Sequence, residues 1–134
     1  MIKYLLSFSL ITFYSYIVQG QNQKLSECEL DSIDGMEVMF IVEQSPEYKG
    51  GYSQFYKDFK QNVKFIKKDR IIPPSTVYFS FIVDVNGNIR NFCSTAEIEN
   101  LEELIEKINH WNAGKQIGEK VPVRLTIQIH IKWG

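Results

Sequence analysis

Histidine and cysteine each occur only twice among the 134 residues and proline four times, and nowhere do lysine and arginine gather into a block interleaved with aromatics. Each scarcity removes a class of chemistry. A hydrolase needs a nucleophile, a base and an orienting group, yet His110 and His130 have no evident partner in sequence. They read instead as a helix-terminus and a sheet-surface residue. Two cysteines far apart and no paired histidines leave no metal-ligand spacing. No metal, cofactor or enzymatic activity is therefore expected. Fifteen basic against sixteen acidic residues give a net charge of −1, a surface ill-suited to phosphate backbones, so nucleic acid is not an expected partner. "GKQIGEK" carries the glycines and lysines of a phosphate loop without their order, and it follows a helix where such a loop opens one. It reads as a turn. Glu102 and Glu103 stand at a helix N-terminus, where they suit the dipole and require no catalytic role.

The first twenty residues differ in kind from the rest. Lys3 precedes an apolar run over 4–18, and small residues at Val18 and Gly20 suit a signal-peptidase site, so residues 1–20 are expected to be a cleaved signal peptide. The alternative is an uncleaved anchor, although the run is shorter than the roughly 20 residues that a membrane span needs. A mature chain starting at Gln21 would carry a flexible leader over 21–35 and one domain over 36–134. Without Lys3 its 14 basic residues face 16 acidic ones. Export permits disulfides and the cysteine count is even, which makes Cys28 and Cys93 a candidate pair. The alternative is a thiol in the leader and a small hydrophobe in a strand.

"MEVMFIV" (36–42) is apolar, β-prone and too short for a helix, and is expected to be a strand. After Gly50-Gly51, Tyr52, Phe55, Tyr56, Phe59 and Val63 make one helical stripe. "KKDRIIPPS" is a connection in which paired prolines stop any helix. In "TVYFSFIVDVNGNIRNFCS" an alternating strand runs into Asn86-Gly87, the left-handed turn of a hairpin whose return strand spans about 88–93. Asn100 with Glu103 is a capping box for a second helix, with Leu101, Leu104, Ile105, Ile108 and Trp111 on its stripe. From Val121 every odd residue to Trp133 is apolar and nearly every even one polar, the pattern of a half-buried strand.

Two single-striped helices and a sheet with one apolar face satisfy each other by packing the helices on that face. The expected fold class is thus α+β, with order β-α-β-β-α-β and a mainly antiparallel sheet. The other face is expected to be wet, with Arg124, Thr126, Gln128, His130 and Lys132 pointing into water. A right-handed crossover places the first hairpin strand between its return strand and the final strand, which becomes an edge. The 36–42 strand must pair with a free edge. Beside the final strand it would block that edge, the arrangement slightly favoured because that edge is longer; beside the return strand it would leave it open.

In order and spacing, these segments resemble the C-terminal domain of TonB-type energy transducers. The residues that carry the resemblance are Pro46, Glu47, Tyr48, Gly50 and Gly51; Asp84 and Gly87; and Trp111, Gly114, Lys115, Gly118 and Val121. The chain departs from the family pattern at Phe65-Ile66, at "KKDRIIPPS" and at Ala113. It also shows no Pro-rich spacer, so a stand-alone form is expected. The resemblance implies a periplasmic or secreted domain, or one anchored in the inner membrane if residues 1–20 are retained. Its edge strand would take up a short segment of an outer-membrane receptor, or of another envelope protein, in TonB-dependent transport. That strand would present Val121, Val123, Arg124, Leu125, Thr126, Ile127, Gln128, Ile129, His130 and Ile131, and pairing of this kind is β-augmentation. The alternative is a diverged structural domain whose edge is blocked or used for self-association, for instance as a homodimer.

Overall fold

A computed structural model describes residues 28–66 and 76–130. The expected signal peptide, the leader up to 27, the "KKDRIIPPS" connection and the expected strand end at 131–133, Ile131 included, lie outside the described residues. The chain divides into two units after Leu30. Of the first, Cys28, Glu29 and Leu30 are described and carry no regular element. The second holds β1 (Ser32–Ile33), β2 (Met36–Glu37), β3 (Glu47–Tyr48), α1 (Gly51–Asn62), β4 (Thr76–Val83), β5 (Ile89–Ser94), α2 (Leu101–Lys107), β6 (Trp111–Asn112), β7 (Gly114–Gln116), β8 (Glu119–Val121) and β9 (Val123–His130). It is an α+β domain.

The main sheet has the order β5-β4-β9 and is antiparallel throughout. Alternation dictates its burial. Val77, Phe79, Phe81 and Val83 of β4 share one face with Ile127 and Ile129 of β9, and onto it pack Phe55 and Phe59 of α1 with Leu104 and Ile108 at the second helix. Each such side chain contributes about 1.5–3 kcal/mol by leaving water. Tyr48, Phe55, Phe81 and Trp111 form one aromatic group with ring centroids 5.2–6.3 Å apart, mostly edge-on or tilted, geometries that ring quadrupoles favour.

Several expectations are corrected. The second helix ends at Lys107, with Ile108 as its cap. Trp111 is not on it but pairs with Tyr48 in the β3–β6 ladder, buried, with Nε1 donating to the Ile108 carbonyl at 2.9 Å. Asn100 precedes the helix without capping it through its side chain. Its Oδ1 instead accepts from Lys64 N and its Nδ2 donates to the Asn62 carbonyl, which ties down the end of α1. In the turn of the β4–β5 hairpin Gly87 is left-handed (φ 79°) and Asn86 is not. Asp84 pairs with Asn88 across a three-residue loop, and its Oδ1 accepts the amides of Asn86 and Asn88. A turn closed by a left-handed glycine is the three-residue alternative to the two-residue Asn-Gly turn.

The final strand is interrupted at Pro122. Val121 belongs to β8, paired with Gly114 of β7 across the Ile117-Gly118 turn, and the regular run starts at Val123. Residues 36–42 do not form a strand of the main sheet. Met36 and Glu37 close a tight hairpin with Ser32 and Ile33 through left-handed Asp34 and Gly35 (φ 51° and 77°), so the expected flexible leader is ordered there. Beyond it Met39 makes one parallel bridge to Val123, after which Phe40 and Ile41 bend away, 67% and 89% exposed.

The second sheet face is dry at one end. Ile82 is fully buried beneath Ile33 and Val38. Arg124, expected in water, is also buried: its Nη1 donates to Ser80 Oγ at 2.9 Å and its Nη2 to Asn91 Oδ1. Asn91 can reach it because β5 carries a bulge, with two residues opposite Phe81 and Asn91 left-handed (φ 50°), a conformation that asparagine tolerates. Arg90 completes this cover by gripping both carboxylate oxygens of Asp34, at 3.0 and 3.4 Å, and reaching Asp84 at 3.4 Å. The Asp34 carboxylate holds its guanidinium above the usual arginine range. Towards the other end Tyr78, Thr126, Gln128 and His130 remain exposed. Both cysteines of the chain, Cys28 and Cys93, are disulfide-bonded.

Candidate functional site

Which backbone groups of β9 face outward follows from one contact. Met39 N donates to the Pro122 carbonyl and Arg124 N donates to the Met39 carbonyl, each at 2.9 Å. In a strand the N–H and C=O of one residue point to the same side and alternate from residue to residue. Pro122, Arg124, Thr126, Gln128 and His130 therefore direct their main-chain groups away from β4, while Val123, Leu125, Ile127 and Ile129 direct theirs towards it. Among the described residues only Met39 forms a ladder rung on the outer edge, at its first position. Among the described residues, only the Tyr56 hydroxyl, 3.5 Å from the Gln128 carbonyl, approaches this edge from Thr126 to His130, a separation at the limit of a hydrogen bond.

A groove of about 640 Å³ runs along this edge, walled by Tyr52 and Tyr56 and floored by Leu125, Thr126, Ile127, Gln128 and His130. The helix that supplies the wall is fixed from below. Phe55 and Phe59 are buried, whereas Tyr52, on the outer side, is 54% exposed. From β3, the Tyr48 hydroxyl donates to Asp58 Oδ2 at 2.6 Å, and Gln54 Nε2 donates to Oδ1 at 2.8 Å. The Tyr48 bond does most to hold the Asp58 carboxyl below its ordinary value, with help from Gln54 and nearby His110. Burial, together with this carboxylate, pushes the Tyr48 hydroxyl well above the usual phenol range.

The expected edge residues divide cleanly. Arg124, Thr126, Gln128 and His130 offer the outer edge; Val123, Ile127 and Ile129 are core; Leu125 is half-buried at the groove; Val121 lies in another sheet. At the far end of the edge the Thr76 hydroxyl lies 3.0 Å from His130 Nδ1.

The residues shared with the family pattern do not line the groove but build the base of β9. Pro46 is fully buried, and a Cβ on Gly114 would lie 2.7 Å from Val123 Cγ2 and 3.1 Å from both the Gln44 carbonyl and Pro46 Cδ. Lys115 exchanges two main-chain bonds with Gln44. Gly50 is the left-handed residue preceding α1, which Gly51 opens. A Cβ on Gly87 would come 2.2 Å from the Trp111 carbonyl oxygen. Asp84, buried, fixes that glycine's turn.

Spacing alone places the two tyrosines of the wall on a core stripe. Their residue type held the discriminating signal: at 55 and 59 the stripe has phenylalanine, at 52 and 56 it has tyrosine, an apolar body with a tip that seeks water. Among the described residues no helix is long and apolar enough to cross a membrane. Compared with known proteins, the chain matches no family model, no curated protein and no solved structure.

Proposed function

We propose that this chain is a non-enzymatic binding domain of the cell envelope that takes an extended segment of a partner protein onto the outer edge of β9. This is the behaviour implied by its resemblance to TonB-type C-terminal domains, the partner being an outer-membrane receptor segment or another envelope protein. The observation that carries the reading is the row of outward main-chain groups at Thr126, Gln128 and His130 beside the tyrosine wall. A strand laid there satisfies donors and acceptors on both sides. Its alternate side chains meet the two tyrosines on one face and Thr126, Gln128 and His130 on the other, so pairing supplies affinity and the flanks supply selectivity. The oxidised cysteines suit an exported protein.

A blocked edge draws support from the single Met39 rung, but blocking would need Phe40, Ile41 and Val42 along β9, where the first two instead bend into solvent. The test is calorimetric titration of Ton-box-like peptides into the protein. Thr126→Pro removes an outward donor while leaving the β4 ladder intact, a position where edge strands accept proline. It should weaken binding by at least about tenfold, the equivalent of roughly one hydrogen bond. Gln128→Ala keeps its main chain and should change binding less than about threefold. Undiminished binding by a folded Thr126→Pro variant would place the site elsewhere.

A further inference from the structure

The two flanks of the β9 groove differ in chemistry. Successive residues of a strand send their side chains to opposite faces of the sheet, so Leu125 and Ile127 lie on the helix side of the edge, and Thr126, Gln128 and His130 on the other. Tyr52 and Tyr56 complete the helix side. That flank is aromatic and aliphatic, the far flank presents a hydroxyl, an amide and an imidazole, and no carboxylate, lysine or arginine lines the groove. The two tyrosines stand four residues apart in α1. Residues at that spacing share a helix face and lie about 6 Å apart along the axis. In an extended strand the residues that share a face are two apart in sequence and about 6.6–6.8 Å apart in space. The two repeats nearly coincide. The Tyr56 hydroxyl, 3.5 Å from the Gln128 carbonyl, brings that side chain to the outer edge itself, and Tyr52 is 54% exposed. A strand paired with β9 would cover aromatic surface that now faces water.

We infer that the ligand of the β9 groove is an extended peptide segment with two apolar side chains two residues apart, one for each tyrosine, and a polar uncharged residue between them. The inference rests on the β9 reading and deepens it, by naming the class of segment that the groove accepts. Main-chain pairing at Thr126 and Gln128 supplies the ladder, and the tyrosine wall reads alternate positions along it. A charged side chain in either apolar position would lose water without meeting a charge of opposite sign.

The probes are three synthetic peptides of equal length built on threonine and glutamine: one with two leucines two positions apart, one with the same two leucines adjacent, and one with none. Binding to the intact protein is measured by calorimetry, alongside Tyr52→Ser, Tyr56→Phe and Thr126→Pro. The spaced peptide should bind at least about tenfold more tightly than its adjacent isomer, as expected when one further leucine is buried. Tyr52→Ser should cut that preference to less than about threefold and leave the leucine-free peptide unaffected. Tyr56→Phe keeps the ring and should keep the preference. Tyr52 is exposed and outside the core clusters, so its variant keeps the fold, and a thermal melt verifies that. Equal binding by the two isomers, or a preference that survives Tyr52→Ser, overturns the inference. Failure of the underlying reading looks different: no peptide binds, or Thr126→Pro and peptides N-methylated at alternate amides bind as well as their parents. The methylated peptides make that distinction on unaltered protein.

Discussion

A side chain as small as one methyl group decides the geometry at Gly87 and Gly114. At Gly87 two demands coincide, a left-handed φ of 79° and a Trp111 carbonyl 2.2 Å from where a Cβ would stand. Gly87→Ala should therefore cost more than the roughly 1–2 kcal/mol of the left-handed penalty alone, because the obstacle is backbone. Gly118 has a similar φ of 74° but open space around it. Gly118→Ala should stay within about 1–2 kcal/mol. Urea denaturation of the two variants separates conformational strain from collision, and equal costs would show that the Trp111 carbonyl yields. Arg124 illustrates the same dependence on single neighbours. Its position on the strand marked it for solvent, and a bulged asparagine with a serine hydroxyl made burial tolerable, since buried charge survives only with hydrogen-bond partners.

Among the elements, β9 has two inequivalent faces and two inequivalent edges. Ile127 is buried in the core and Thr126 exposed, so Ile127→Ala should cost about 2–5 kcal/mol and Thr126→Ala well under about 1 kcal/mol, read as shifts of the denaturation midpoint. Similar costs would mean that both faces are packed. How legible each element was depends on where its partners lie in the chain. The periodicities of β4, β9 and α1 face one continuous core, so alternation and stripe expose them directly. Helical spacing extends the short second helix too far, because Trp111 keeps that spacing while belonging to a ladder with Tyr48, sixty-three residues earlier in the chain and invisible to local pattern. "MEVMFIV" misled through composition. Its apolar residues serve three masters: Val38 covers Ile82, Met39 takes one rung, and Phe40 and Ile41 face water. Asp34-Gly35 did announce a hairpin, since that pair favours two consecutive left-handed residues, and it lay in a stretch assigned to the leader. The candidate edge was legible as a strand, whereas its outer side depended on the Met39 contact, which no periodicity contains.

For the whole molecule, acid should act through the joint between β3 and α1. Asp58 has a depressed carboxyl, owed first to the Tyr48 hydroxyl. A group whose folded value is lowered contributes stability that is fully present above its unfolded value, near 3.9, and is lost as pH falls through the folded value. Tyr48→Phe should remove part of that contribution and flatten the stability profile on the acid side, below about pH 4, while leaving its slope near neutrality unchanged. Thermal melts across pH 2–7, a window of about five units around the carboxylate range, check this; parallel profiles for variant and parent would exclude the joint as an acid-sensitive point. The alternation of β9's main chain has a further consequence, in the time domain. Amides of Leu125, Ile127 and Ile129 point to the β4 ladder and those of Thr126 and Gln128 to the bare edge. In deuterated solvent neighbouring residues of one strand should thus lose their protons on separate schedules, slow and fast in turn, because exchange follows the opening of each bond. A partner lying on the edge would erase that comb and leave a uniformly slow strand.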